Sequence, residues 1–114
     1  MKKTKMLKKN YEFRRVLSKG NYFGGNYIQA FILKNKKNYN SLGLAINTKS
    51  GKAVKRNKVK RLLRENYKNF EQNIQTGYEI VFLIKKKTNI DDLDFQNIRQ
   101  DMEKIMKKSE IIID

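Results

Sequence analysis

Residues 49–70 read KSGKAVKRNKVKRLLRENYKNF, and the reading of this stretch organises the rest. Val59, Leu62, Leu63, Tyr67 and Phe70 recur at steps of three and four, the spacing of one helical face, which predicts a helix over residues 51–70. At 100° per residue, Leu62, Leu63, Asn66, Tyr67 and Phe70 fall within about 80° of Val59. Lys58, Lys60, Arg61, Arg64 and Lys68 fill the arc from about 100° to about 260°, interrupted only by Glu65. Charge on an outer helical face ordinarily means a solvated surface. Here Lys52, Lys55, Arg56 and Lys58 crowd the helix start, where each cation opposes the macrodipole at a cost of about 0.3–1 kcal/mol at low salt. A helix start also offers free N–H groups to anions. The combination reads as a phosphate trap, which weights the stretch toward nucleic-acid contact.

Towards the N-terminus, residues 10–18 read as a short helix with Tyr11, Val16 and Leu17 on one face, Phe13 on its shoulder and Asn10 as its cap. Residues 27–33 and 42–47 read as strands. The polar loop between them is short enough for a hairpin, and a further short strand is possible near residues 21–24. Towards the C-terminus, Gly77 breaks the chain and residues 78–84 form a near-continuous apolar run, expected to be a strand covered on both faces. Residues 91–108 read as a last helix with Leu93, Ile98, Met102, Ile105 and Met106 as its apolar stripe. Asp91, Asp92 and Asp94 at its start and Lys104, Lys107 and Lys108 at its end suit the macrodipole. The expected fold is one domain over residues 1–114, an α/β (α+β) two-layer sandwich with about four strands and three helices. The apolar tail Ile111 to Ile113 has room to fold back but has no evident function.

The chain has 114 residues, 27 Lys and Arg against 11 Asp and Glu, and a net charge of +16. Such self-repulsion implies a polyanionic partner, nucleic acid first and an anionic membrane surface second. No apolar run approaches the roughly 18–20 residues that span a bilayer, and the basic start lacks the apolar stretch of a signal peptide. A cytoplasmic location is the expectation. With no His and no Cys, the chain cannot build Ser-His-Asp or Cys-His nucleophilic sites or His/Cys metal sites. No catalytic constellation and no metal cluster emerges. The three aspartates near residue 92 read better as helix-start carboxylates than as ligands.

From Leu42 to Glu65 the chain resembles the bacterial ribonuclease P protein family, whose signature runs Lys-x-Gly-x-Ala-Val-x-Arg-Asn-Arg-x-Lys-Arg-x-x-Arg-Glu after an upstream Gly. Lys49, Gly51, Ala53, Val54, Arg56, Asn57, Lys60, Arg61, Arg64 and Glu65 fit it. Lys58 stands where the family usually has Arg, keeping the charge but losing the planar fork. Asn47 and Thr48 stand where Ser and Lys are common. The opening residues Leu7 to Phe13 are similar to the family's start as well. The resemblance implies a left-handed βαβ crossover, against the usual right-handed preference. It implies a protein subunit that binds a catalytic RNA and precursor tRNA and assists removal of the 5′ leader. The RNA, with Mg²⁺, supplies the chemistry. Neither a membrane nor an obligatory protein partner is expected.

Carried over residue by residue, the resemblance makes Lys49, Lys52, Arg56, Asn57, Lys58, Lys60, Arg61 and Arg64 catalytic-RNA contacts, with Lys68 continuing the same face. Asn57 has a near-equal alternative as a helix cap or turn former. The resemblance also implies an aromatic cleft for the single-stranded leader, lined by Phe13, Leu17 and Phe31. Leu17 replaces a frequent aromatic and weakens that stacking platform. Pattern alone would make Phe13 and Phe31 core residues. Tyr22, Phe23 and Tyr27 read as packing more than binding residues, and Lys85 to Lys87 as a solvated loop, with RNA contact as the lesser alternative. Two alternatives remain: a structural RNA-binding protein of ribosomal type, and a metal-dependent nuclease acting without RNA.

Overall fold

The computed structural model describes residues 3–113 and places a strand at Thr4–Met6 (β1), a helix at Asn10–Lys19 (α1), and strands at Asn21–Gly24 (β2), Ile28–Lys34 (β3) and Asn40–Ala45 (β4). A single 3-10 turn at Thr48–Ser50 leads into the long helix Ala53–Glu71 (α2). The strand Tyr78–Ile84 (β5), a second 3-10 turn at Ile90–Asp92 and the helix Phe95–Lys108 (α3) follow. The strands form one mixed sheet in the order β1-β4-β5-β3-β2. β1 and β5 both run parallel to β4, whereas β3 is antiparallel to β5 and to β2.

Two expectations about the sheet are corrected. It has five strands where about four were expected, because β1 was missed. Three residues with a central lysine carry too little alternation to be read locally. Thr4 is nonetheless buried, its hydroxyl 2.7 Å from that of Tyr67. Strands β3 and β4 do not form a hairpin, because β5 lies between them. The reason is burial. Val81 and Phe82 point to opposite faces and both are fully buried, so β5 belongs at the centre, covered on both sides. The parallel pairing of β4 with β5 then requires a long crossover, and α2 supplies it.

The registers sort the side chains. Ile28, Ala30 and Ile32 of β3, Leu42 of β4, and Ile80 and Phe82 of β5 face α2 and α3 in the main core. Tyr67, Leu63, Met102 and Ile105 fill it from the helices. Each buried Ile, Leu, Met or Phe among them contributes about 1.5–3 kcal/mol. Sheet, α2 and α3 thus form the expected sandwich, and α1 lies on the opposite face. There Val16, Phe13 and Leu17 meet Val81, Phe31, Leu33, Ala45 and Leu83.

The helix ends also depart from expectation. Asn10 does not cap α1. Lys9 is the N-cap residue, and the Glu12 side chain turns back to accept the Lys9 N–H at 3.0 Å. Tyr11 is 65% exposed rather than sharing the buried face with Val16. α3 begins at Phe95, since Asn89 caps the 3-10 turn and Asp94 then caps the helix, accepting from the Asn97 N–H at 2.7 Å. Leu93 is buried but precedes α3. The tail does fold back: Ile111 is buried, and Ile112 bridges Ile74.

Candidate nucleic-acid interface

The start of α2 is bare. Its N-cap residue, Lys52, makes no side-chain cap, and the first turn holds no acidic residue. α1 and α3 are both capped by carboxylates, through Glu12 and Asp94. The first N–H groups of a 19-residue helix are therefore left facing outward beside Lys52, Lys55 and Lys58. Only Lys55 among these three has an acidic partner, Asp91 at 2.7 Å, and both ends of that pair are exposed.

The remaining sequence-predicted RNA contacts lie on the same surface. Lys49 is exposed in the 3-10 turn that leads into α2. Asn57, Lys58, Arg61 and Lys68 are exposed along the helix, and Lys60 and Arg64 are half-buried. Asn57 is the fifth residue of α2, so the cap alternative for it falls. Arg56 has a local task. Its guanidinium donates to the carbonyl of Thr48 at 3.0 Å and of Gly51 at 3.3 Å, tying the approach loop to the helix. Arg61 sits 3.7 Å from Glu65, a long and exposed pair that leaves most of its donors open. Val54, 81% exposed, lines a shallow concavity with Asn57, Lys58 and Arg61.

Phe13, Leu17 and Phe31 come together on the other face of the sheet, all half-buried. What brings Phe13 down onto the sheet is Gly43, where a Cβ would lie 2.6 Å from the Phe13 ring. α1 is anchored there by a two-pronged ion pair from Arg15 to Glu79, a carboxylate only 2% exposed. That partner raises the Arg15 pKa above its ordinary value.

Three features escaped the sequence reading. Tyr22 packs on one neighbouring ring but stays largely open to solvent. It is 51% exposed and meets Phe31 edge-on, ring centres 5.5 Å apart, which extends the aromatic surface by one ring. Phe23 and Tyr27 do pack against the core. Gln29 lies in the same alternating row of β3 as Phe31, opposite Leu83. A groove lined by Gln29, Ala45, Leu83, Asn47 and Lys49 continues from this row to the approach of α2. Lys85 and Lys86 border the groove, so that loop faces the cationic approach loop rather than open solvent alone. Period-two alternation could have found Gln29. The meeting of Leu83 and Lys86 with Asn47 and Lys49 depends on β5 lying beside β4, which no local pattern reports.

The described carboxylates do not gather into a metal site, since no group of three or more is clustered suitably among the described residues. No helix of the described residues is long and apolar enough to cross a membrane.

The family model Ribonuclease P matches residues 1–110. Among curated relatives, the ribonuclease P protein component of Clostridioides difficile is 38% identical over 112 residues, covering 97% of this chain and 96% of the relative. That of Fusobacterium nucleatum is 41% identical over 108 residues, covering 93% and 97%. Among solved structures, the Staphylococcus aureus RNase P protein superposes with a TM-score of 0.82 at 28% identity, covering 94% of this chain and 96% of that one. The Thermotoga maritima RNase P protein gives 0.81 at 28%, covering 91% and 96%. With the bare cationic helix, the aromatic groove and these matches agreeing, the chain belongs to the ribonuclease P protein family.

Proposed function

We propose that this chain binds the ribonuclease P catalytic RNA along the outer face of α2 and holds the 5′ leader of precursor tRNA in the groove on the α1 side of the sheet. It is the protein subunit of an endoribonuclease that matures tRNA 5′ ends, associated with ribonuclease P RNA. One observation carries the two-site reading: a groove lined by Gln29, Ala45, Leu83, Asn47 and Lys49 starts on the β3 row that also carries Phe31, so a single strand laid along it would end beside the RNA-binding helix. Phosphates met by Lys49, Lys52, Asn57, Lys58, Lys60, Arg61, Arg64 and Lys68 fix position, and unpaired bases stack on Phe13, Phe31 and Tyr22.

Hydrolysis of the phosphodiester bond is assigned to the RNA. The chain has no His or Cys, and its best-placed carboxylates have structural tasks: Glu12 and Asp94 cap helices, Glu79 holds Arg15, and Asp101 holds a turn. No three carboxylates cluster into a metal site among the described residues, and the Mg²⁺ of the reaction is assigned to the RNA as part of this proposal. The protein's part is to bind, orient and offset charge. A cytoplasmic location follows from such a substrate. No obligatory protein partner is proposed.

Phe13→Ala in the reconstituted holoenzyme tests the groove. Losing one stacking platform weakens binding of leader-bearing precursor tRNA by about 5–100-fold, while mature tRNA is little affected. Equal losses for both substrates would remove the leader groove from the account.

A further inference from the structure

Tyr39 gathers two lysines on one ring. The Lys5 ammonium lies 4.4 Å and the Lys37 ammonium 5.4 Å from the ring centre. Lys5 comes from the edge strand β1 and Lys37 from the β3–β4 loop, so the cluster is assembled by the fold and not by a run of sequence. Lys3 and Lys36 are exposed beside them, and the Lys3 carbonyl accepts from the Asn40 N–H at 2.8 Å. The loop has a defined shape. The Asn35 side chain accepts from the Lys37 N–H at 2.9 Å and donates to the Tyr39 carbonyl at 3.3 Å.

Nothing in the described structure neutralises this cluster. None of Lys3, Lys5, Lys36 and Lys37 is in an ion pair among the described residues. No Asp or Glu occurs anywhere between Glu12 and Glu65. The carboxylate on this face in the next rows, Glu79, is buried and taken by Arg15. Cations drawn onto one ring without a counter-charge are held against their mutual repulsion, an arrangement that a polyanion relieves.

Position separates this patch from the two surfaces already described. It lies at the start of β4, whereas α2 follows the end of β4, a strand of six residues or about 20 Å. Lys5 pairs with Ser41 and Ser41 with Glu79, so Lys5 lies on the α1 face, on the flank of α1 that Arg15 and Glu79 close. Gln29 and Leu83 lie in the row of Ala45, at the end of β4 away from Ser41.

We propose that Lys5, Lys37 and Tyr39 form a second RNA-binding patch that takes the phosphodiester backbone of the catalytic RNA at the end of the sheet opposite the start of α2. This rests on the reading of the chain as a ribonuclease P subunit. The protein would then be gripped by its RNA at both ends.

Salt-dependent affinity of the full chain for the catalytic RNA alone tests the patch. The Lys5→Ala/Lys37→Ala double variant is compared with wild type and with Arg61→Ala. Loss of two phosphate contacts lowers the slope of log K against log salt by about 1.5–2 and weakens binding several-fold at low salt. Tyr39→Leu, which removes the ring, reproduces part of the effect, and Tyr39→Phe does not. An unchanged slope in the double variant, with the slope lowered in Arg61→Ala, overturns this proposal and leaves the parent reading intact. Unchanged slopes in both indict the parent reading. A loss seen only in the holoenzyme with long-leader precursor tRNA would overturn the assignment to catalytic RNA. A loss confined to phosphatidylserine vesicles would overturn it too, and so would self-association of the double variant at unchanged RNA affinity, the mark of lysines that only guard an edge strand. Thermal melts followed by circular dichroism show whether each variant is folded.

Discussion

Asp101 is buried and accepts three backbone N–H groups, from Asn26 at 2.8 Å, Tyr27 at 2.5 Å and Ile28 at 2.9 Å. Its carboxylate fills the space where a Cβ on Gly25 would stand, so the β2–β3 turn is moulded onto α3 by one side chain. That turn sets the pairing of Tyr22 with Phe31, and so the edge of the aromatic surface. Asp101→Ala leaves buried donors without an acceptor and is expected to lower stability by about 3 kcal/mol in urea unfolding. Asp101→Asn keeps one acceptor oxygen and should lose less. Asp101 was not singled out in the sequence, because its partners lie more than 70 residues away and its own helix reads well without it. Asn66 is the contrasting case. The wheel puts it on the apolar face, where it is buried and donates to the Leu62 and Phe95 carbonyls.

At the scale of elements, α2 and β5 were legible because their signals are local. Steps of three and four residues predict the buried face of α2 down to Val59, Leu63 and Tyr67. The apolar run of β5 predicts its central, doubly covered place. Pairing was not legible. β1 is three residues long, and the loop between β3 and β4 is as short as a hairpin loop even though β5 enters between them. The candidate site divides in the same way. The basic motif is contiguous in sequence and was read whole, whereas Tyr22, Gln29 and Lys86 join the groove only through strand register. Helix capping supplies a pH test at this scale. The Glu12 carboxyl is held below its ordinary pKa chiefly by the Lys9 N–H, with a further contribution from the Lys8 N–H. The lowered value means that the cap stabilises α1 fully above the ordinary carboxylate range, near pH 4.3, and is lost as pH falls through the depressed value. Glu12→Ala should lower stability at pH 7 and flatten its decline on acidification below about pH 4. Stability measured across pH 2–7 checks this. An unchanged acid limb would remove the cap from the account.

For the whole molecule, the excess charge of +16 has a spatial order. Apart from Glu12, every acidic residue lies at or after Glu65. The stretch from Phe13 to Arg64, which supplies most of α1, the three strands β2, β3 and β4, and most of α2's cationic face, holds none. A protein charged in this way suits the proposed part of an accessory to an RNA that does the chemistry. Precursor-tRNA cleavage by the protein alone, by its cognate catalytic RNA alone and by the two together, at a Mg²⁺ concentration too low for the RNA by itself, measures that claim. The account predicts leader removal at the mature 5′ end only when both are present. Cleavage by the RNA-free protein, or no stimulation of the RNA, would contradict it.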